Sequence, residues 1–134
     1  MPATLNHVTI VTDDLEASQP VYDAVLAGLG MSASVDYVDP EGDSDDTGTV
    51  AAIGYGLPGE RPLLWLVAGS VPTTGAHFAL AASRQDVLAA HQTAVAAGVR
   101  VVQPPRDWEA SQLGYFGAQF ADPAGNLVEV LCRT

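Results

Sequence analysis

The chain reads twice through one order of elements, a strand, a helix and then three strands, and a duplicated unit of that kind leaves few folds open to it. The first pass opens at Leu5 to Thr12, where Val8 and Ile10 alternate with His7, Thr9 and Val11 as in a half-buried strand. Ser18 is expected to cap a helix whose first turn tolerates Pro20, and Val21, Tyr22, Val25, Leu26 and Leu29 recur at helical spacing before Gly28 and Gly30. Strands are expected over Ala33 to Val38, Val50 to Tyr55 and Leu63 to Ala68, with a turn over Leu57 to Pro62. Ser70 to Gly75, containing Pro72, connects the halves. The second pass runs through a strand at His77 to Ala82 and a capping pair, Ser83 and Asp86. A helical stripe of Val87, Leu88, His91, Ala94 and Val95 then stops at Gly98. A short strand at Val99 to Val102, a loop at Pro104 to Asp107, and strands at Tyr115 to Ala121 and Leu127 to Cys132 complete it. The expected organisation is one domain over residues 1–134, with modules at about 1–70 and 75–134.

The last two strands carry the most chemistry. Asp122-Pro-Ala-Gly-Asn126 is a turn signal, with Pro123 presetting φ and Gly125 free to take the left-handed conformation. If Ala121 faces Leu127, Gln119 faces Glu129, and period-two alternation points Tyr115, Gly117, Gln119, Leu127, Glu129 and Leu131 to one side. Phe116, Phe120, Val128 and Val130 point to the other. Glu129 is thus a lone carboxylate in an apolar strand. Superposing the modules places His7 on His77 and Trp65 on Glu129, and a pseudo-twofold packing of the modules would gather those positions. Two imidazoles and one carboxylate suit a divalent metal with open coordination positions, including the facial triad of non-haem Fe(II) enzymes. The bland alternative is that the histidines are satisfied by backbone groups and Glu129 faces solvent. Tyr115 could donate a proton or hydrogen bond to a metal-bound oxyanion, or simply fill a strand face. Gln119 could position water or substrate, and Trp65 could form a flat pocket wall for a planar ligand. Trp108, Glu109 and Gln112 sit where a loop could cover the mouth. His91 and Cys132 read as structural.

Composition bounds the rest. A chain of 134 residues, 48% hydrophobic, supports one core. The single cysteine rules out an intrachain disulfide framework. A formal charge of −11 with five scattered basic residues opposes binding to a nucleic-acid backbone. Asp36, Asp39, Glu41, Asp43, Asp45 and Asp46 read as a solvated acidic loop whose spacing does not match a calcium loop. No secretion signal and no stretch of membrane-spanning length is recognisable, so a cytoplasmic protein without membrane partners is expected.

Leu5-Asn-His-Val-Thr-Ile, Asp14-Leu-Glu-Ala-Ser and Val21-Tyr-Asp-Ala-Val-Leu resemble the opening of the vicinal oxygen chelate superfamily. Gly75-Ala-His-Phe-Ala-Leu and Asp122-Pro-Ala-Gly-Asn-Leu-Val-Glu-Val resemble the opening and closing signatures of its second module. The resemblance covers nearly the whole chain. It implies an α+β fold, with paired βαβββ modules forming an open, curved eight-stranded sheet around a cavity, and a homodimer as the usual assembly. It also implies a small-molecule ligand, the superfamily including glyoxalase I, extradiol dioxygenases, fosfomycin-resistance enzymes and metal-free bleomycin-binding proteins. His7, His77 and Glu129 match its metal-ligand positions for Fe(II), Mn(II) or Zn(II). Trp65 departs from the glyoxalase I pattern, where a fourth ligand would stand, so the expectation is a metal-dependent enzyme more dioxygenase-like than glyoxalase-like. The other expectation is a metal-free sequestering protein of the bleomycin-resistance type.

Overall fold

A computed structural model of the chain describes residues 6–38, 50–70, 75–108 and 115–133. The first module comprises β1 (Val8–Thr12), α1 (Leu15–Ala27), β2 (Ser32–Val38), β3 (Val50–Gly56) and β4 (Leu64–Ala68). The second comprises β5 (His77–Ala81), α2 (Arg84–Ala96), β6 (Arg100–Trp108), β7 (Tyr115–Ala121) and β8 (Leu127–Arg133). The expected pair of βαβββ modules forms, its eight strands shared between two open four-stranded sheets ordered β1-β4-β3-β2 and β5-β8-β7-β6. The parallel strand contacts of the two modules repeat to the residue. Thr9 pairs with Trp65 in the parallel β1–β4 contact and Ala79 pairs with Glu129 in the parallel β5–β8 contact, so His7 and His77 each stand two residues before the matching partner.

Alternation makes one face of each sheet apolar, and a helix covers it. Ile10, Ile53, Tyr55, Leu64 and Leu66 bury against Val21, Tyr22 and Leu26 of α1. Phe116, Phe120, Val128 and Val130 bury against Val87, Ala90 and Ala94 of α2, with Val25 of α1 joining them. The opposite, open faces therefore hold His7, Thr9 and Trp65 in one module and His77, Gln119 and Glu129 in the other.

Three local expectations are corrected. Asp14, not Ser18, caps α1: its Oδ1 accepts from the Ala17 amide at 3.0 Å, so the helix starts earlier and Pro20 falls inside it. Ser18 is buried and shares a 2.8 Å hydrogen bond with Thr12. In α2 the Ser83–Asp86 capping box forms as expected, but the buried stripe is Val87, Ala90 and Ala94, while Leu88 and Val95 are 48% and 55% exposed. Small residues are needed there because α1 comes very close. A Cβ on Gly28 would lie 2.5 Å from the Ala90 Cα, and Thr93 Oγ1 donates to the Ala24 carbonyl at 2.6 Å. Finally, Pro104 to Asp107 is not a loop but part of β6. β6 is an edge strand, where a missing N–H is tolerated, and the register shifts between Gln103 and Arg106 absorb the two prolines.

The β7–β8 turn does more than reverse the chain. Gly125 takes φ 90° as expected. Asn126, fully buried, donates through Nδ2 to the Val11 carbonyl at 2.9 Å and to Asp122 Oδ2 at 2.8 Å, while its Oδ1 accepts from the Ala76 amide at 2.7 Å. The Tyr22 hydroxyl donates to the same Asp122 oxygen at 2.8 Å. The turn of the second module is thereby bolted to β1 and α1 of the first.

Candidate functional site

The hairpin register matches the sequence expectation: Ala121 faces Leu127, Gln119 faces Glu129 and Gly117 faces Leu131. This puts Glu129 in mid-strand, 5% exposed, with β5 and β7 on either side. Protonated at Nε2, His77 donates to Glu129 Oε1 at 3.2 Å from a side chain that is 53% exposed. Glu129 Oε2 is buried with no hydrogen-bond partner, the one such side-chain atom among the described residues. A buried carboxylate oxygen without a partner costs free energy unless something fills the vacancy. A divalent cation fits. Donors bound to one metal at about 2.1 Å lie roughly 3 Å apart, close to the separation of His77 Nε2 and Glu129 Oε1, and imidazole with carboxylate is a suitable donor set.

Tyr115 lies on the same face. Burial first, and then the neighbouring Glu129 carboxylate, push its phenol above the ordinary value, while Arg106 pulls the other way. Its hydroxyl closes no hydrogen bond to Glu129 within the usual distance limit, so the two are neighbours rather than a bonded pair. Gln119 is half-buried beside Glu129. Trp108 stacks on Tyr115 with centroids 5.9 Å apart and planes 17° apart, and its Nε1 donates to the Gly117 carbonyl at 3.4 Å. Arg106 lies 3.9 Å over the Trp108 ring. Reading Pro104 to Asp107 as a loop hid this group. The signal available was Arg106 and Trp108 two apart, the spacing that shares a strand face. Glu109 and Gln112 lie outside the described residues.

The first module's candidates are elsewhere. His7 is exposed on the open side of β1, its Nδ1 2.7 Å from Asn6 Oδ1. Trp65, half-buried, reaches across Gly54: a Cβ there would come within 3.1 Å of its Cη2 and 2.8 Å of Pro62 Cγ. Among the described residues of one chain, no three His, Cys, Asp or Glu side chains form a group able to hold a metal. Two clefts of about 440 and 430 Å³ lie at the module junction, the first between Leu29, Met31, Leu63 and Leu80, and neither is lined by His77 or Glu129. No described helix is long and apolar enough to cross a membrane.

Residues 4–130 match the model of the glyoxalase/bleomycin resistance protein/dioxygenase superfamily, and the chain belongs to that family. No curated protein matches it. Among solved structures, a glyoxalase/bleomycin resistance protein from Albidiferax ferrireducens is similar at a TM-score of 0.71 and 22% identity, covering 98% of this chain and 100% of that one. A fosfomycin resistance protein from Listeria monocytogenes is similar at a TM-score of 0.63 and 15% identity, covering 100% and 96%. A glyoxalase/bleomycin resistance protein/dioxygenase from Nocardioides is similar at 0.63 and 20%, covering 99% and 85%. At these identities the likeness is one of fold.

Proposed function

We propose that this protein is a metal-dependent enzyme that chelates two adjacent oxygens of a small substrate, with His77, Glu129 and His7 as metal ligands. The observation that carries the reading is the buried, unpartnered Oε2 of Glu129 beside an exposed imidazole. The metal, Fe(II), Mn(II) or Zn(II), supplies a Lewis acid that stabilises charge developing on the substrate oxygens. Tyr115, on the same sheet face as Glu129, would hydrogen-bond an oxyanion through its phenol. Gln119 orients substrate or water. Trp65, which cannot ligate, removes a fourth protein ligand and makes a dioxygenase-like site more apt than a glyoxalase-like one.

His7 reaches this site from a second copy of the chain. β1 and β5 are edge strands, His7 lies on the open side of one and His77 on the open side of the other, and no described strand covers either edge. In a twofold dimer, β1 of each copy beside β5 of the other would join two sheets into an eight-stranded surface, cover the edges and set His7 against His77 twice. A metal-free sequestering protein is the second reading, favoured because His77 and Glu129 have no third ligand beside them among the described residues of one chain.

Metal content after anaerobic reconstitution separates them. The native chain should take up one ion per protomer, and His7→Ala and His77→Ala should each lose it. Mixing those two variants in equal amounts should restore about a quarter, because after exchange half of the dimers are mixed and each of these regains one intact site of two. No uptake by the native chain overturns the enzyme; uptake by the native chain without restoration in the mixture places all ligands in one copy.

A further inference from the structure

All five basic residues of this chain are arginines, and two of them, Arg106 and Arg133, stand on the open face of the second sheet. The register fixes this. Arg106 faces Gly117 across β6–β7, Trp108 faces Tyr115, and Tyr115 faces Arg133 across β7–β8, all in phase with Gln119 and Glu129. Gly117 between them adds no side chain, and the Tyr115 ring leans over it: a Cβ there would come within 3.3 Å of Tyr115 Cδ2. On the helix side of the same sheet, Arg84 meets Asp107 at 3.6 Å and lies 3.8 Å over Phe116. Arg106 differs. It is exposed, and among the described residues it has no carboxylate partner, although the chain carries 16 acidic residues against five basic.

A guanidinium seated 3.9 Å over an indole is held in position while the edge of its planar fork stays free. That fork matches the two oxygens of a carboxylate. Two strand spacings and two residues separate Arg106 from Glu129, which puts their backbones about 12 Å apart. The two side chains and a molecule of a few bonds span that gap.

We propose that Arg106, oriented by the Trp108–Tyr115 stack and aided by Arg133, binds a carboxylate of the substrate and so determines specificity. The substrate class is then a small molecule with a chelating oxygen pair at one end and a carboxylate a few bonds away. This rests on the reading of His77 and Glu129 as the chelating centre, so its test has one arm independent of metal.

In that arm, glutarate, which has carboxylates but no adjacent oxygen pair, is titrated into the metal-free protein while the indole N–H resonances of Trp108 and Trp65 are followed. The Trp108 resonance should move saturably and that of Trp65 should not; Arg106→Gln should abolish the shift and Arg106→Lys should retain a weakened one. If Trp108 is unmoved, or inorganic phosphate moves it at lower concentration than glutarate, the carboxylate site is overturned whatever the metal does. In the second arm, calorimetry on metal-loaded protein compares butanohydroxamate with the monohydroxamate of succinic acid, the same chelating head without and with a carboxylate. The succinate compound should bind roughly 10- to 100-fold tighter, and Arg106→Gln should erase that ratio while leaving butanohydroxamate unchanged. A ratio near one in the native protein, or one that survives in Arg106→Gln, overturns the proposal. Failure of butanohydroxamate to bind while glutarate still shifts Trp108 sinks the metal reading alone.

Discussion

The hairpins β3–β4 and β7–β8 occupy equivalent places in the two modules and share a register, Gly54 facing Trp65 in one and Gln119 facing Glu129 in the other. Backbone equivalence has been kept while the chemistry of the open face has parted. In the first module Trp65 and Pro62 close over the glycine. In the second an amide and a carboxylate stand in the same positions, and the carboxylate is left with an unpartnered oxygen. The turns differ in the same sense. Leu57 to Arg61 is exposed, whereas Asp122 and Asn126 are 5% and 1% exposed and tie the modules together. One hairpin is a wall; the other is the mechanical junction and carries the proposed chemical centre.

The largest expected effect breaks the junction. Asn126→Ala takes the side-chain partner from the Val11 carbonyl and the Ala76 amide and leaves Asp122 Oδ2 with the Tyr22 hydroxyl alone, all around a buried position. A loss of about 3–5 kcal/mol in urea unfolding is expected. Glu60→Ala in the exposed turn of the first module should fall within about 0.5 kcal/mol of the native chain. Similar losses for both variants would show that the two turns are mechanically alike after all.

Glu129→Leu sharpens the comparison of the faces. It removes a buried oxygen with no partner, and His77, half-exposed, is left to water. The metal-free protein should therefore gain about 1–3 kcal/mol, while metal uptake is lost. Thermal melts with and without chelator check both. Destabilisation of the metal-free protein would mean that Glu129 serves packing rather than an ion.

What could be read in the sequence follows the range of the interactions involved. Strand alternation and a five-residue turn are local, so the β7–β8 register and the face shared by Tyr115, Gln119 and Glu129 were legible, as was the repeat that aligns His7 with His77. Asn126 was legible only as a turn residue, because its partners Val11 and Ala76 lie 115 and 50 residues away. Pro104 and Pro105 argue against a strand unless the strand is known to lie at an edge, a fact of topology, and that concealed Arg106. The cap at Ser18 failed because Asp14 caps the helix one turn earlier, at the Ala17 amide, and Ser18 finds a buried partner in Thr12. The proposed gathering of His7 with His77 depends on assembly, which no pattern within one chain records.

The smallest effect concerns how each hairpin is anchored to α1. Tyr55 on β3 donates to Asp23 Oδ1 at 2.9 Å, and Tyr22 on α1 donates to Asp122 of the second turn. Burial first, then the facing carboxylate, push both phenols well above the ordinary value. The folded chain thus keeps protons that the unfolded chain releases near pH 10. The stabilising contribution is complete below about pH 10 and falls above it, by about 1.4 kcal/mol per pH unit for each phenol until the folded group itself ionises. Tyr22→Phe and Tyr55→Phe should each remove one proton's worth of that slope between pH 10 and 11.5, measured by denaturant unfolding across pH. Equal reductions would mean that the two hairpins are anchored alike despite their different faces; an unchanged slope in Tyr22→Phe alone would mean that Asp122 holds the turn through Asn126 without help from the phenol.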